Sequence, residues 1–181
     1  MAVATEEQDY GSRLRRLLAT ADAPAPRSLP DWGGCADPGF DRPGDAVVLL
    51  EAPDGRAAGV EACAREAAAL VGSAIECGRG LAVAAAVECA RGARGAILTL
   101  DPLPEGEAPV SALFRPRGAG VLVSLPKERL PDLEALAARH GVAAVCLGMV
   151  GGDRLMFCAT TEILLEIATT ELAPRWLQEE I

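Results

Sequence analysis

A layered α/β sandwich is the fold class that the sequence predicts, and three observations carry the prediction. Short apolar runs rich in Val and Leu, such as residues 46–50 and 121–125, have the length and make-up of buried strands. Alanine- and leucine-rich stretches of helical spacing lie between such runs, and each ends at a glycine. From residue 121 onward the order reads strand, helix, strand, strand, helix, which stacks helices on a sheet. Half of the 181 residues are hydrophobic but only 3% are aromatic, so the core is built from Ala, Val, Leu and Ile. A chain of this length can bury one well-cored domain, with or without an extra segment.

The first element is a short helix over 13–20, with Leu14, Leu17 and Leu18 on one stripe and three arginines on the wet side. Residues 21–42 hold so many prolines and glycines that no regular element is expected there. Within this linker Trp32 and Phe40 are read as anchors to the body rather than as partner-binding aromatics. Residues 46–50 form a strand, Asp54-Gly55 suits a hairpin turn, and 56–60 are expected to return as a second, weaker strand. Helices follow over 61–71 and 81–91, closed by Gly72 and Gly92, and a strand over 96–100. The best-defined unit begins with the strand 121–125, stopped by Pro126. Leu130, Leu133, Leu136 and Ala137 then recur at helical spacing up to Gly141, with Pro131 tolerated in the first turn. Strands are expected from 142, over 155–158 after the Gly151-Gly152-Asp153 turn, and over 163–167. Thr170 can N-cap a closing helix through Leu177. The expected organisation is a helix and linker over 1–44, a small strand-and-helix unit over 45–72, and the main domain over 73–181.

Composition excludes several function classes. Twenty-six acidic against seventeen basic residues give a net charge of -9, the wrong sign for a surface that neutralises nucleic-acid phosphates. The start of the chain is polar and acidic, which does not fit a secretory leader, and the apolar run 142–150 is too short to span a bilayer. A cytoplasmic location is expected. Six scattered cysteines, without a Cys-x-x-Cys pair and with His140 as the single histidine, are read as structural thiols rather than metal ligands or disulfides. Cys89, Cys146 and Cys158 in particular are expected to be buried. Cys77 lacks a nucleophile motif. His140, just before Gly141, suits a helix C-terminus, where an imidazolium complements the dipole.

Several ordered motifs resemble the terminal lobe of the formylglycinamide ribonucleotide amidotransferases (phosphoribosylformylglycinamidine synthases), an AIR synthase-related C-terminal domain. They are Gly120-Val121-Leu122-Val123-Ser124-Leu125, Leu133-Glu134-Ala135-Leu136-Ala137, His140-Gly141-Val142, and the run from Leu147 through Gly151-Gly152-Asp153 to Leu155. Gly80-Leu81-Ala82-Val83-Ala84 and Ala112-Leu113-Phe114 are similar to the segments after that family's central loop and before the strand at Val121. The similarity spans about residues 73 to 178. Arg42-Pro43-Gly44-Asp45-Ala46-Val47 resembles the segment that opens the family's other lobe, which makes 45–72 a remnant of it.

The resemblance implies an ATP-dependent amidine synthesis, with magnesium-bound ATP and ammonia from glutamine. It carries Asp45 and the loop Glu76, Gly78, Arg79 and Gly80 over as the cofactor-binding positions. In relatives that loop has the form His-Asp-x-Ser-Asp-Gly-Gly; here it reads Ile75-Glu76-Cys77-Gly78-Arg79-Gly80. Glu76 keeps one carboxylate, the second aspartate is gone, and Arg79 lies nearby. A cation cannot replace a magnesium ligand. The same loop could still grip a phosphate through amides at the next helix's N-terminus and the Arg79 guanidinium, or it could be a tight turn with a solvated arginine. The expected function is thus a truncated, synthase-like chain without independent activity. It would act as a scaffold, as a homodimer or against a hetero-partner that covers the exposed lobe face, with no catalytic residue and no metal or cofactor of its own. The alternatives are one subunit of a split ATP-dependent synthase and a nucleotide- or phosphate-sensing module.

Overall fold

A computed structural model describes residues 9–20, 39–103 and 108–172 of the chain. In these, five helices, α1 (Tyr10–Ala19), α2 (Ala57–Glu66), α3 (Leu81–Gly92), α4 (Pro109–Phe114) and α5 (Leu130–Arg139), pack on one seven-stranded sheet. The strands are β1 (Ala46–Glu51), β2 (Ser73–Glu76), β3 (Ala96–Thr99), β4 (Gly120–Leu125), β5 (Ala143–Val150), β6 (Arg154–Ala159) and β7 (Glu162–Ala168), in the order β2-β4-β1-β5-β3-β6-β7. The architecture is the α/β sandwich that the sequence predicts.

β1 lies near the middle of that sheet, antiparallel to β4 on one side and to β5 on the other. Its Val47, Val48, Leu49 and Leu50 have no exposed surface, which is why the segment reads as an unbroken apolar run. Strands from both sides of the boundary expected at residue 72 therefore share a single sheet.

Three elements depart from the sequence reading. Residues 56–60 do not return as a strand, and Asp54-Gly55 is not a hairpin turn. Both edges of β1 are taken along their whole length by β4 and β5, and Val60, Cys63 and Ala64 fall on one buried helical stripe, so the chain turns into α2. The helix expected over 61–71 accordingly starts earlier and tightens into a 3-10 turn, Ala67–Ala69. β2 and α4 were not expected, since four and six residues are too few to display a period. Where the closing helix from Thr170 is expected there is a 3-10 turn, Thr169–Glu171, that ends at an extended Leu172; residues 173–177, like Trp32, Cys35 and most of the linker, lie outside the described residues.

The sheet is covered unequally. On one face α1, α3 and α4 bury Val47, Leu49, Ile75, Leu98, Leu122, Leu155 and Phe157 across its whole width. α3 is alanine-rich and has no exposed residue between Leu81 and Cys89, so it sits close to the strands. On the other face α2 and α5 cover Ala46, Val48, Leu50, Ala74, Val121 and Val123, and the cover stops near β5. β5 carries an irregularity: Val47 faces Gly148 but Val48 faces Cys146, with Leu147 as the extra residue. Gly148 has φ +156°, and a Cβ there would meet the Ile97 carbonyl oxygen at 2.0 Å.

The small side-chain expectations sort by position. α1 is N-capped by Asp9, which accepts from the Ser12 amide at 2.9 Å, and Leu14 and Leu18 are buried. Phe40 is fully buried, as an anchor should be. His140 caps α5, with Nε2 2.8 Å from Glu66 Oε2 on α2. Cys63, Cys77 and Cys89 are buried and free; Cys158 is half-buried, and Cys146 is exposed, against expectation, because it lies on the uncovered part of the sheet.

Candidate functional site

The pairing pattern makes β1, β2, β3 and β6 run in one direction. Their carboxyl ends therefore share one edge of the sheet. At that edge stand Glu51 closing β1, Glu76 closing β2, and Asp101 just after β3, whose Oδ1 accepts from the Thr160 amide at 2.6 Å. The edge also receives the loop 77–80 and the turn 115–119.

The loop is held by backbone bonds. The Cys77 amide donates to Gly120 O at 2.8 Å, and Cys77 O accepts from Arg117 N and Gly80 N, each at 2.9 Å. Gly80 then opens α3 with φ +101°, and a Cβ there would stand 2.9 Å from Leu113 O and from Phe114 Cα. The end of α4 thus abuts the first turn of α3, and Leu81, Ala82 and Val83 are fully buried. Protein, not solvent, faces those amides. Arg79 reaches the other way, and its Nη2 donates to Leu17 O in the last turn of α1 at 3.0 Å. A guanidinium there completes a helix C-terminus.

The two carried-over carboxylates do not meet. Ala46 faces Leu125 and Glu76 faces Val121 on the same strand, β4. Asp45 lies one step beyond Ala46, so it stands about 17 Å from Glu76 along the strand axis, at about 3.4 Å per residue. A shared divalent ion would need both within about 2.5 Å of it. Among the described residues no group of three His, Cys, Asp or Glu side chains could hold a metal ion. Asp45 is only 6% exposed, and its Oδ2 has no hydrogen-bond partner among the described residues. Burial pushes its carboxyl above the usual range against the pull of Arg42.

Two residues that sequence reasoning missed organise the carboxyl-end edge. The Arg117 side chain is almost wholly buried, and its Nη1 donates to both Glu51 oxygens, at 2.9 and 3.0 Å. Glu51 borders a 550 Å³ cleft that also touches Leu103, Arg115 and Val145. A larger cleft, 610 Å³, lies at the opposite edge, between Arg42, Gly72, Pro126 and Arg129. Neither is lined by the 77–80 loop. A carboxylate ending an apolar strand was the only sequence signal for Glu51, and nothing marked Arg117. Cys77, the first residue of the loop, has its thiol pushed up to about 12 by burial, with the nearby Arg117 pulling it back, so it is no nucleophile at neutral pH.

No protein-family model matches the chain, and no curated protein matches it. Solved structures do. Phosphoribosylformylglycinamidine synthase II from Thermotoga maritima superposes with a TM-score of 0.70 at 18% identity, over 76% of this chain and 27% of its own. The same organism's PurL complexed with ATP gives 0.66 at 19% identity, over 76% and 27%. The fold is AIR synthase-like. The hydrogenase maturation protein HypE in complex with ATP shares it more distantly, with a TM-score of 0.55 at 14% identity over 74% of this chain and 54% of that one. At these identities the likeness establishes the AIR synthase-like fold alone, and it bears out the resemblance read from the motifs at that level. The chain spans about a quarter of the length of the PurL structures that it matches. No described helix is long and apolar enough to cross a membrane.

Proposed function

We propose that this chain is an AIR synthase-fold module without independent synthase activity, which works as a scaffold by associating through its open sheet face. The observation that carries the reading is the distribution of exposed apolar side chains. Ile97 (52% exposed), Met149 (42%) and Ile163 (52%) are the large exposed hydrophobics of the described residues. All three lie on the part of one sheet face that α2 and α5 leave bare. Met149 faces Ile97, Ile97 faces Met156, and Ile163 faces Cys158 across adjacent strands. A contiguous apolar patch of this kind marks an interaction surface.

The partner that fits is a second copy of the chain. The patch centre is uncharged, and its border holds Arg154 paired with Glu166. A two-fold contact can set this neutral pair against its own copy without leaving a charge unmatched. ATP and magnesium are what the resemblance implies. The residues present do not fit them: Asp45 and Glu76 stand at opposite edges, and Arg79 serves α1. That geometry supports a fold kept for its core and its surface rather than for turnover.

A second reading, one subunit of a split ATP-dependent synthase, is favoured by the 27% share of PurL that the chain spans. Sedimentation of the purified chain, with an assay of formylglycinamide ribonucleotide turnover using ATP and either glutamine or ammonia, tests both. A concentration-dependent dimer without turnover is expected. Turnover by the chain alone would overturn the proposal, and a monomer that gains activity only with a complementary lobe would establish the second reading.

A further inference from the structure

Beneath the covered face lies a carboxylate that the scaffold reading does not use. Glu88 sits on α3 with no exposed surface, and neither of its side-chain oxygens has a hydrogen-bond partner among the described residues. The Ser73 hydroxyl on β2, itself paired with Ser124 on β4 at 2.8 Å, and the Gly39 amide are the polar groups that favour its ionised form. An ionised carboxylate in such a place forfeits its hydration for less than it loses.

What closes the site is the segment 39–45. Its Phe40 amide donates to the backbone oxygen of Glu88 itself at 2.9 Å, and its Gly44 amide donates to Val150 O at 2.9 Å. Two glycines let it lie directly on the helix. A Cβ on Gly39, where φ is +116°, would come within 2.3 Å of Gly92 N, and one on Gly92 within 2.0 Å of Phe40 O. The Phe40 ring is fully buried beside α3. The segment is a strap across the turn that carries Glu88.

We propose that Glu88 is a proton-operated latch, which holds the 39–45 strap on α3 when protonated and loosens it when ionised. The charged or titratable groups facing it are on its own helix. Arg91 is one turn on, with Nη1 buried and no hydrogen-bond partner among the described residues, and Cys89 has its thiol pushed far up by burial and by Glu88. β2 and β4 contribute Ser73 and Ser124 and the strap the Gly39 amide, all uncharged, while the far end of the strap carries the buried Asp45, whose carboxyl burial also raises. One guanidinium without a direct contact does not offset the burial, which raises the Glu88 carboxyl from 4.5 to about 7. In the opened strap the group regains water and its ordinary value. The carboxyl is raised in the closed state, so closure is fully favoured below pH 4.5 and is lost as pH rises to about 7. Opening grows about tenfold per pH unit across that window and levels off above it.

Amide hydrogen exchange of the full chain, read at Phe40 and Gly44 and corrected for intrinsic rates, tests the latch. Wild-type protection should fall roughly a hundredfold between pH 5 and pH 7.5, and in Glu88→Gln most of that fall should be gone, the remainder belonging to Asp45. Protection that does not change with pH in the wild type, or changes equally in Glu88→Gln, overturns the proposal. A carboxyl-carbon NMR titration of Glu88 in the wild-type chain needs no variant to fold. A midpoint near 7 supports the latch, and one in the ordinary carboxylate range sinks it.

Discussion

Arg117 and Glu51 join the turn before β4 to the last residue of β1 across 66 positions of sequence, through one guanidinium nitrogen shared by both carboxylate oxygens. The side chain of Arg117 is 1% exposed and that of Glu51 27%, so the pair is anchored on its buried cation. Glu51→Ala should destabilise the chain by about 2–3 kcal/mol, somewhat less than the loss from a fully buried pair, because it removes both carboxylate acceptors of a buried guanidinium nitrogen. Glu51→Gln, which retains an acceptor, should lose less. Urea unfolding of the three proteins checks the order, and equal midpoints would show that the pair contributes nothing.

Arg79 offers a sharper separation of structural from ligand roles. Its contact with Leu17 O ties the loop to α1. Arg79→Ala should release the α1 amides to faster exchange, at a cost of about 1.5–3 kcal/mol for a hydrogen bond to a charged group, while leaving phosphate affinity unchanged. A drop in phosphate or ATP affinity with α1 protection intact would return this arginine to ligand binding.

The thiols should differ widely in reactivity. Burial raises Cys63 to about 11 and Cys77 to about 12, whereas Cys146 is exposed on the open face. The thiolate is the reactive form. Among Cys63, Cys77, Cys89, Cys146 and Cys158, iodoacetamide at pH 8 should therefore modify Cys146 first in the native protein. Peptide mass spectrometry reads the order, and early labelling of Cys77 would mean that the loop opens readily.

On the bare sheet face, Ile97→Lys and Ile163→Lys should each shift folding stability by less than about 0.5 kcal/mol, as exposed substitutions do. Each should also convert a self-associated chain to monomer in sedimentation. Unchanged association would move the interface elsewhere.

Gly92→Ala addresses the strap from the helix side. A methyl group there would occupy the position of the Phe40 carbonyl, so either the strap lifts or α3 bends. A loss of about 1–3 kcal/mol is expected, the usual cost of overpacking, with faster exchange at the Phe40 amide. Full stability and unchanged exchange would show that the contact is easily relieved.

The sequence alone determined the elements whose side chains repeat: β1, α3, β4, α5 and the β6–β7 pair, together with the α/β class. These are local facts, written in the spacing of apolar residues. Tertiary structure decided the remainder. It placed β1 between β4 and β5, and with both of its edges filled, 56–60 could only become helix. It made four residues at Ser73–Glu76 a strand because β4 was there to pair with them. It also set Asp45 and Glu76 at opposite ends of the sheet, brought Glu51 to Arg117, put Arg79 on α1, and left Cys146 in solvent. Each of these depends on which distant segments pair, and pairing partners leave no period in the chain that bears them.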